Sequence, residues 1–114
     1  MDDALKEQFR RAAIVHGEGT ETGDYEKSNE AYDRTVALVK EMRLLSDRGR
    51  ALLTSRLSDS DAAVRSSAAC YLLPLDERMA IPIFEEVARS TLPLVGFSAE
   101  MVLREWRAGR LKIP

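Results

Sequence analysis

The chain has 114 residues, which is one domain of ordinary size, and its 45% hydrophobic and 32% charged content is a globular composition with a strongly solvated surface. A net charge of −2 argues against a general nucleic-acid binder, and a single cysteine, Cys70, excludes an internal disulfide and suits a reducing compartment. No apolar run reaches the roughly 20 residues that span a bilayer, and the start, Met1-Asp2-Asp3, is acidic where a secretory leader is basic, so a cytoplasmic protein is expected.

Asp2 or Asp3 can cap a first helix over 2–15, where Leu5, Phe9, Ala12, Ala13 and His16 fall at near-helical spacing. Residues 17–24 hold three glycines and no apolar side chain, which predicts a flexible loop. A long helix is expected over 25–45, with Gly49 suited to the left-handed turn that closes it. A short helix follows over 50–57. The turn Ser58-Asp59-Ser60-Asp61 supplies an N-cap for a fourth helix, 62–73, which Pro74 stops. Asp76 can cap a fifth helix over 77–89. Pro82 is tolerated only in a first turn, so the regular part is expected to begin near Ile81. Leu92-Pro93 breaks the chain before a last helix, 95–108, with Gly109 as its stop. No segment alternates with period two, so the fold is read as all-α.

The second half repeats itself. A shift of 30 residues lays Ala51, Leu53 and Leu57 on Ile81, Ile83 and Val87. A shift of 31 lays Val64, Ala68, Tyr71, Leu72 and Leu75 on Val95, Ala99, Val102, Leu103 and Trp106. Paired helices at this period are the mark of a helical solenoid, in which no unit hides its apolar stripe alone. The organisation expected is one domain: a helical pair over 1–48, repeats over 49–76 and 77–109, and a tail over 110–114. Three antiparallel hairpins would form a short right-handed αα-superhelix.

Asp61-x-x-Val64-Arg65-x-x-Ala68-Ala69-x-x-Leu72 resembles the second helix of a HEAT or armadillo-type repeat, and Ala80-Ile81-Pro82-Ile83-Phe84 resembles the start of the next first helix. The half of the chain over 50–108, ending Phe97-Ser98-Ala99-Glu100-Met101-Val102-Leu103-Arg104-Glu105-Trp106, is also similar to a small bacterial family of HEAT-like single domains of unknown function. The resemblance implies a module that binds another protein, and some HEAT-like bacterial proteins neutralise toxins as immunity proteins. Gly96 stands where the first repeat has Arg65, so a repeated Asp–Arg ladder is not expected.

Candidate sites follow from the pattern. Phe97, Met101 and Ala108 lie opposite the packed stripe of the last helix, with Arg104 among them. That face is either covered by Leu111 and Ile113 of the tail or left as an apolar patch rimmed by Arg104, Arg107 and Arg110. Phe97, Glu100, Met101, Arg104 and Arg107 are therefore the candidate partner-binding residues, and self-association through this helix is one form of docking. Lys27, Glu30 and Arg34 join them on the second helices of the pairs. Structural roles are expected for Arg65, as a bridge to a turn carboxylate such as Asp59 or Asp61, and for Trp106, in the core. Cys70 lies in a helix of small residues without a basic neighbour, which suits inert packing. His16 is the sole histidine, so no zinc set is expected, and no cofactor is called for. Gly17-x-Gly19-x-x-x-Gly23 lacks the lysine of a phosphate loop and follows a helix instead of a strand. A non-enzymatic protein-binding module is the leading expectation. Its rivals are a nucleic-acid-binding HEAT-like protein, favoured by the basic C-terminal tip, and a HEAT-like lyase or accessory protein.

Overall fold

In a computed structural model that describes residues 2–114, the chain forms six α-helices and one 3-10 turn. They are α1 (Asp2–Thr22), α2 (Tyr25–Arg43), α3 (Asp47–Ser55) running into the 3-10 turn Arg56–Ser58, α4 (Ala62–Leu72), α5 (Glu77–Ala88) and α6 (Pro93–Arg107). No strand occurs among the described residues. Among them, too, no helix is long and apolar enough to cross a membrane.

Each helix packs on the next along the chain, α1 on α2, α2 on α3, α3 on α4, α4 on α5 and α5 on α6. Helix α4 also packs on α6, and α1 reaches across to both α4 and α6. The duplicated stripes meet in one core: Val64, Ala68, Val95 and Ala99 are all buried, beside Phe9, Leu38, Met42, Leu72, Phe84 and Val87. Phe9 of α1 stands edge-on to Tyr71 of α4, with ring centroids 6.3 Å apart.

The expected loop over 17–24 is instead the last part of α1, which continues to Thr22. Gly17 and Gly19 are buried there. A Cβ on Gly17 would fall 2.3 Å from that of Ala63, and one on Gly19 would fall 2.7 Å from the Ser28 amide nitrogen. Glycine costs an exposed helix about 1 kcal/mol per residue. Here it lets α4 and the start of α2 come close, and that packing holds the helix. The left-handed residue that ends α1 is Gly23, at φ +78°. Asp24 then caps α2, its side chain accepting from the Lys27 amide.

Two smaller expectations are also revised. Gly49 does not terminate α2: it is buried within α3, where a Cβ would collide with the Met42 carbonyl, and the positive φ of 51° falls on Ser46. Helix α5 begins at Glu77 with Pro82 inside it and exposed, because the Asp76 cap and the burial of Ala80, Phe84 and Val87 outweigh the lost backbone bond. The fourth helix is capped as read, with the Asp61 carboxylate accepting from the Ala63 and Val64 amides.

Glu21, near the end of α1, accepts from the Leu94 and Val95 amides at 3.1 and 2.9 Å and so caps α6 from a distant part of the chain. Near the middle of α1, the Asp59 carboxylate accepts from Arg10 Nε at 2.9 Å, and also from Arg56 Nη1 at 3.2 Å and the Asp61 amide at 2.9 Å. Its side chain is only 3% exposed. Burial pushes the Asp59 carboxyl up, but the Asp61 amide and the Arg10 and Arg56 guanidiniums outweigh it, and the group titrates below the ordinary range.

Asp59→Asn is expected to lower stability to urea at pH 7 by about 2–3 kcal/mol, since it leaves two guanidiniums without their shared anion. A depressed folded value means that the stabilisation is complete above the unfolded value of about 4 and is lost as pH falls through the folded one. The urea midpoint of the wild type should therefore fall more steeply below about pH 4 than that of Asp59→Asn, and parallel curves would contradict this. Gly19→Ala, which gains stability in an ordinary helix, is expected here to cost about 1–3 kcal/mol in the same measurement.

Candidate functional site

Helix α6 starts at Pro93, in its first turn, and buries Val95, Gly96, Ala99 and Leu103. Gly96 replaces the arginine of the first repeat because a Cβ there would press on the Val87 and Ala88 carbonyls at 3.2 Å. The opposite side of α6 carries Leu94, 46% exposed, and Phe97, 58% exposed, with Met101 half-buried one turn on. Glu100, Arg104 and Arg107 are exposed beside them. Leu94, Phe97, Met101 and Arg104 follow helical spacing and form one stripe. Leu94 is absent from the candidates read in the sequence because the break at Pro93 places it outside the expected helix. Its spacing of three from Phe97 is the signal that would have found it.

The tail does not cover this stripe. Leu111 and Ile113 pack against the core, and the Pro114 carbonyl accepts from Arg43 Nη2 of α2 at 2.6 Å. The rim charges differ in how firmly they are held. Arg104 is 4.0 Å from Glu100, and Arg107 is 3.7 Å from Glu85 of α5. Arg110 makes a two-pronged bond to Glu105 at 2.7 and 3.1 Å, which pulls the Glu105 carboxyl below its ordinary range.

Arg65 donates to the Asp59 backbone carbonyl at 2.8 Å, and not to the carboxylate of a turn residue. Its Nε lies 3.0 Å from Glu86 of α5 without an aligned hydrogen bond, so that contact is a charge contact. Trp106 is half-buried against the core and donates its indole N–H to Glu77 at 2.9 Å.

A second feature is concave. A cavity of about 350 Å³ lies among α1, α2, α4 and α6. It brings His16, Cys70 and Tyr71 to one place although they are distant in sequence. His16 Nδ1 is 3.0 Å from the Ser28 carbonyl and 2.9 Å from Ser28 Oγ, and Thr20 Oγ1 lies 3.0 Å from the same hydroxyl. Thr35 Oγ1 and the Tyr71 hydroxyl share a bond of 2.8 Å. Burial pushes the Tyr71 and Tyr32 phenols up, and the Cys70 thiol to about 11. No three His, Cys, Asp or Glu side chains gather as a metal site among the described residues.

No family model matches the chain, and no curated protein matches it. Among solved structures the chain is similar to the crystal structure of the protein RPA1889 from Rhodopseudomonas palustris CGA009. The TM-score is 0.83 at 18% identity, over 98% of this chain and 93% of that one. The likeness extends over essentially the whole arrangement of helices, and at this identity it speaks to fold alone.

The raised Cys70 thiol has a measurable consequence. Alkylation by iodoacetamide at pH 8 is expected to run roughly a hundredfold slower in the folded protein than in urea, because the thiolate is the reactive form. Equal rates would show a thiol that is neither buried nor shifted.

Proposed function

We propose that this chain is a cytoplasmic, non-enzymatic protein-binding module, a short HEAT-like stack of helical hairpins that docks another protein on the outer face of α6. The observation that carries the reading is the exposure of Leu94 and Phe97 on a helix whose other side is packed. Burying a leucine or phenylalanine side chain contributes about 1.5–3 kcal/mol each. The adjacent Met101 and Arg104 are of the residue types enriched at the centres of interfaces. Arg104 and Arg107, exposed and loosely paired, favour a partner that presents carboxylates around an apolar anchor. The packing of α4 on both α5 and α6 favours the repeat stack, with α1 laid across it as a cap. Toxin neutralisation is the specific form that the HEAT-like resemblance implies.

A partner retained by the wild-type protein on a column is expected to be released by Phe97→Glu and weakened about tenfold by Arg104→Glu. Phe97→Glu should leave folding stability within about 0.5 kcal/mol, since it alters an exposed position. Retention that ignores Phe97→Glu would remove this face from the interface. Equilibrium sedimentation identifies the partner as a second copy if the wild type dimerises and Phe97→Glu does not.

A further inference from the structure

We infer that the cavity among α1, α2, α4 and α6 is a binding site for a neutral, largely apolar small molecule that carries a hydrogen-bond donor, such as a fused-ring phenol or aryl amine. Its volume of about 350 Å³ is in the range of pockets that enclose small ligands. The floor is apolar, with Phe84, Val95, Val102 and Leu111. No Asp, Glu, Lys or Arg lines the cavity, so a charged ligand would lose its hydration and meet no counter-charge.

The polar groups say which end of the ligand is held. A carbonyl can only accept, so the approach of His16 Nδ1 to the Ser28 carbonyl places the proton on Nδ1. In the neutral ring Nε2 is then an acceptor, and no group of the protein bonds it. The hydroxyls of Ser66, Ser67 and Ser98 line the same cavity and likewise make no bond to the protein. Helical hydroxyls commonly return to the carbonyl one turn back, as Thr20, Thr22 and Thr54 do here. The half-buried Ser66 and Ser67 and the exposed Ser98 thus keep their hydrogen-bonding capacity for water or a ligand in the cavity. The walls are already tied by the Thr35–Tyr71 bond and by the Ser28–His16–Thr20 cluster, so a ligand has little ordering to impose.

The test uses N-phenyl-1-naphthylamine, a neutral fluorescent probe with one N–H donor, beside its 8-sulfonate analogue, the same skeleton with a charge. Titration into the full chain is expected to show saturable one-to-one binding of the neutral probe, at least tenfold tighter than that of the sulfonate. Ser66→Leu, which fills the cavity from α4, is expected to weaken the neutral probe at least tenfold with helical content retained. Ser98→Leu, at an exposed position, carries the same test should Ser66→Leu fail to fold. Absence of saturable binding, or equal affinity for the two probes, would overturn the assignment. So would loss of binding on Phe97→Glu with Ser98→Leu unaffected, which would place the probe on the outer face of α6.

Discussion

The missing side chain at Gly19 sets the distance between the first two helices, and much else depends on that distance. With a Cβ there, the backbone around Asp24 and Ser28 would have to withdraw, and α1 could not continue alongside α2. Because α1 does continue, Glu21 reaches the amides of Leu94 and Val95. Helix α6 has no capping side chain of its own, since its N-cap residue is Leu92. The first helix thus finishes the last one, and a packing contact between two backbones decides where a carboxylate some 70 residues away in sequence comes to rest.

The other half of α1 is held by charge. Arg10 from α1, Arg56 from the 3-10 turn and the Asp61 amide at the head of α4 converge on one buried carboxylate. Apolar burial supplies the net stability of such a domain, and a buried ion cluster adds little once desolvation is counted. What the cluster does supply is direction, since its bonds are satisfied in one relative placement of α1 and α4. Glycine contacts toward one end and an ion cluster near the middle therefore orient the helix, together with Phe9, Ala12 and Ala13 in the core.

That orientation produces the two features of interest. Laying α1 across α4 and α6 leaves a gap that small side chains of α4 do not fill, and Ser66, Ser67 and Cys70 border it. It also turns Ser98 and Val102 of α6 toward the gap and leaves Leu94 and Phe97 outside. One helix thus presents a concave polar–apolar surface on one flank and an open apolar stripe on another. The match to RPA1889 extends over the same helical arrangement, and the chemistry of each surface has to be argued from its own residues.

The local pattern of the chain determined the helices of its second half. The Asp61 and Asp76 caps, the Gly109 stop and the stripes Val64–Leu72 and Val95–Leu103 depend only on neighbours within two turns, and they form where the periodicity places them. The place of Phe97 and Arg104 opposite the stripe was legible for the same reason, whereas their exposure was not, because it depends on where Leu111 and Ile113 of the tail pack. The helix through Gly17 and Gly19, the Glu21 cap, the Asp59 cluster and the cavity around His16 were decided only by tertiary structure. Each joins residues tens of positions apart, and glycine in sequence looks the same whether it frees a loop or admits a neighbouring backbone. Propensity and periodicity describe a segment's preference in water, whereas these features exist only once another segment has displaced that water.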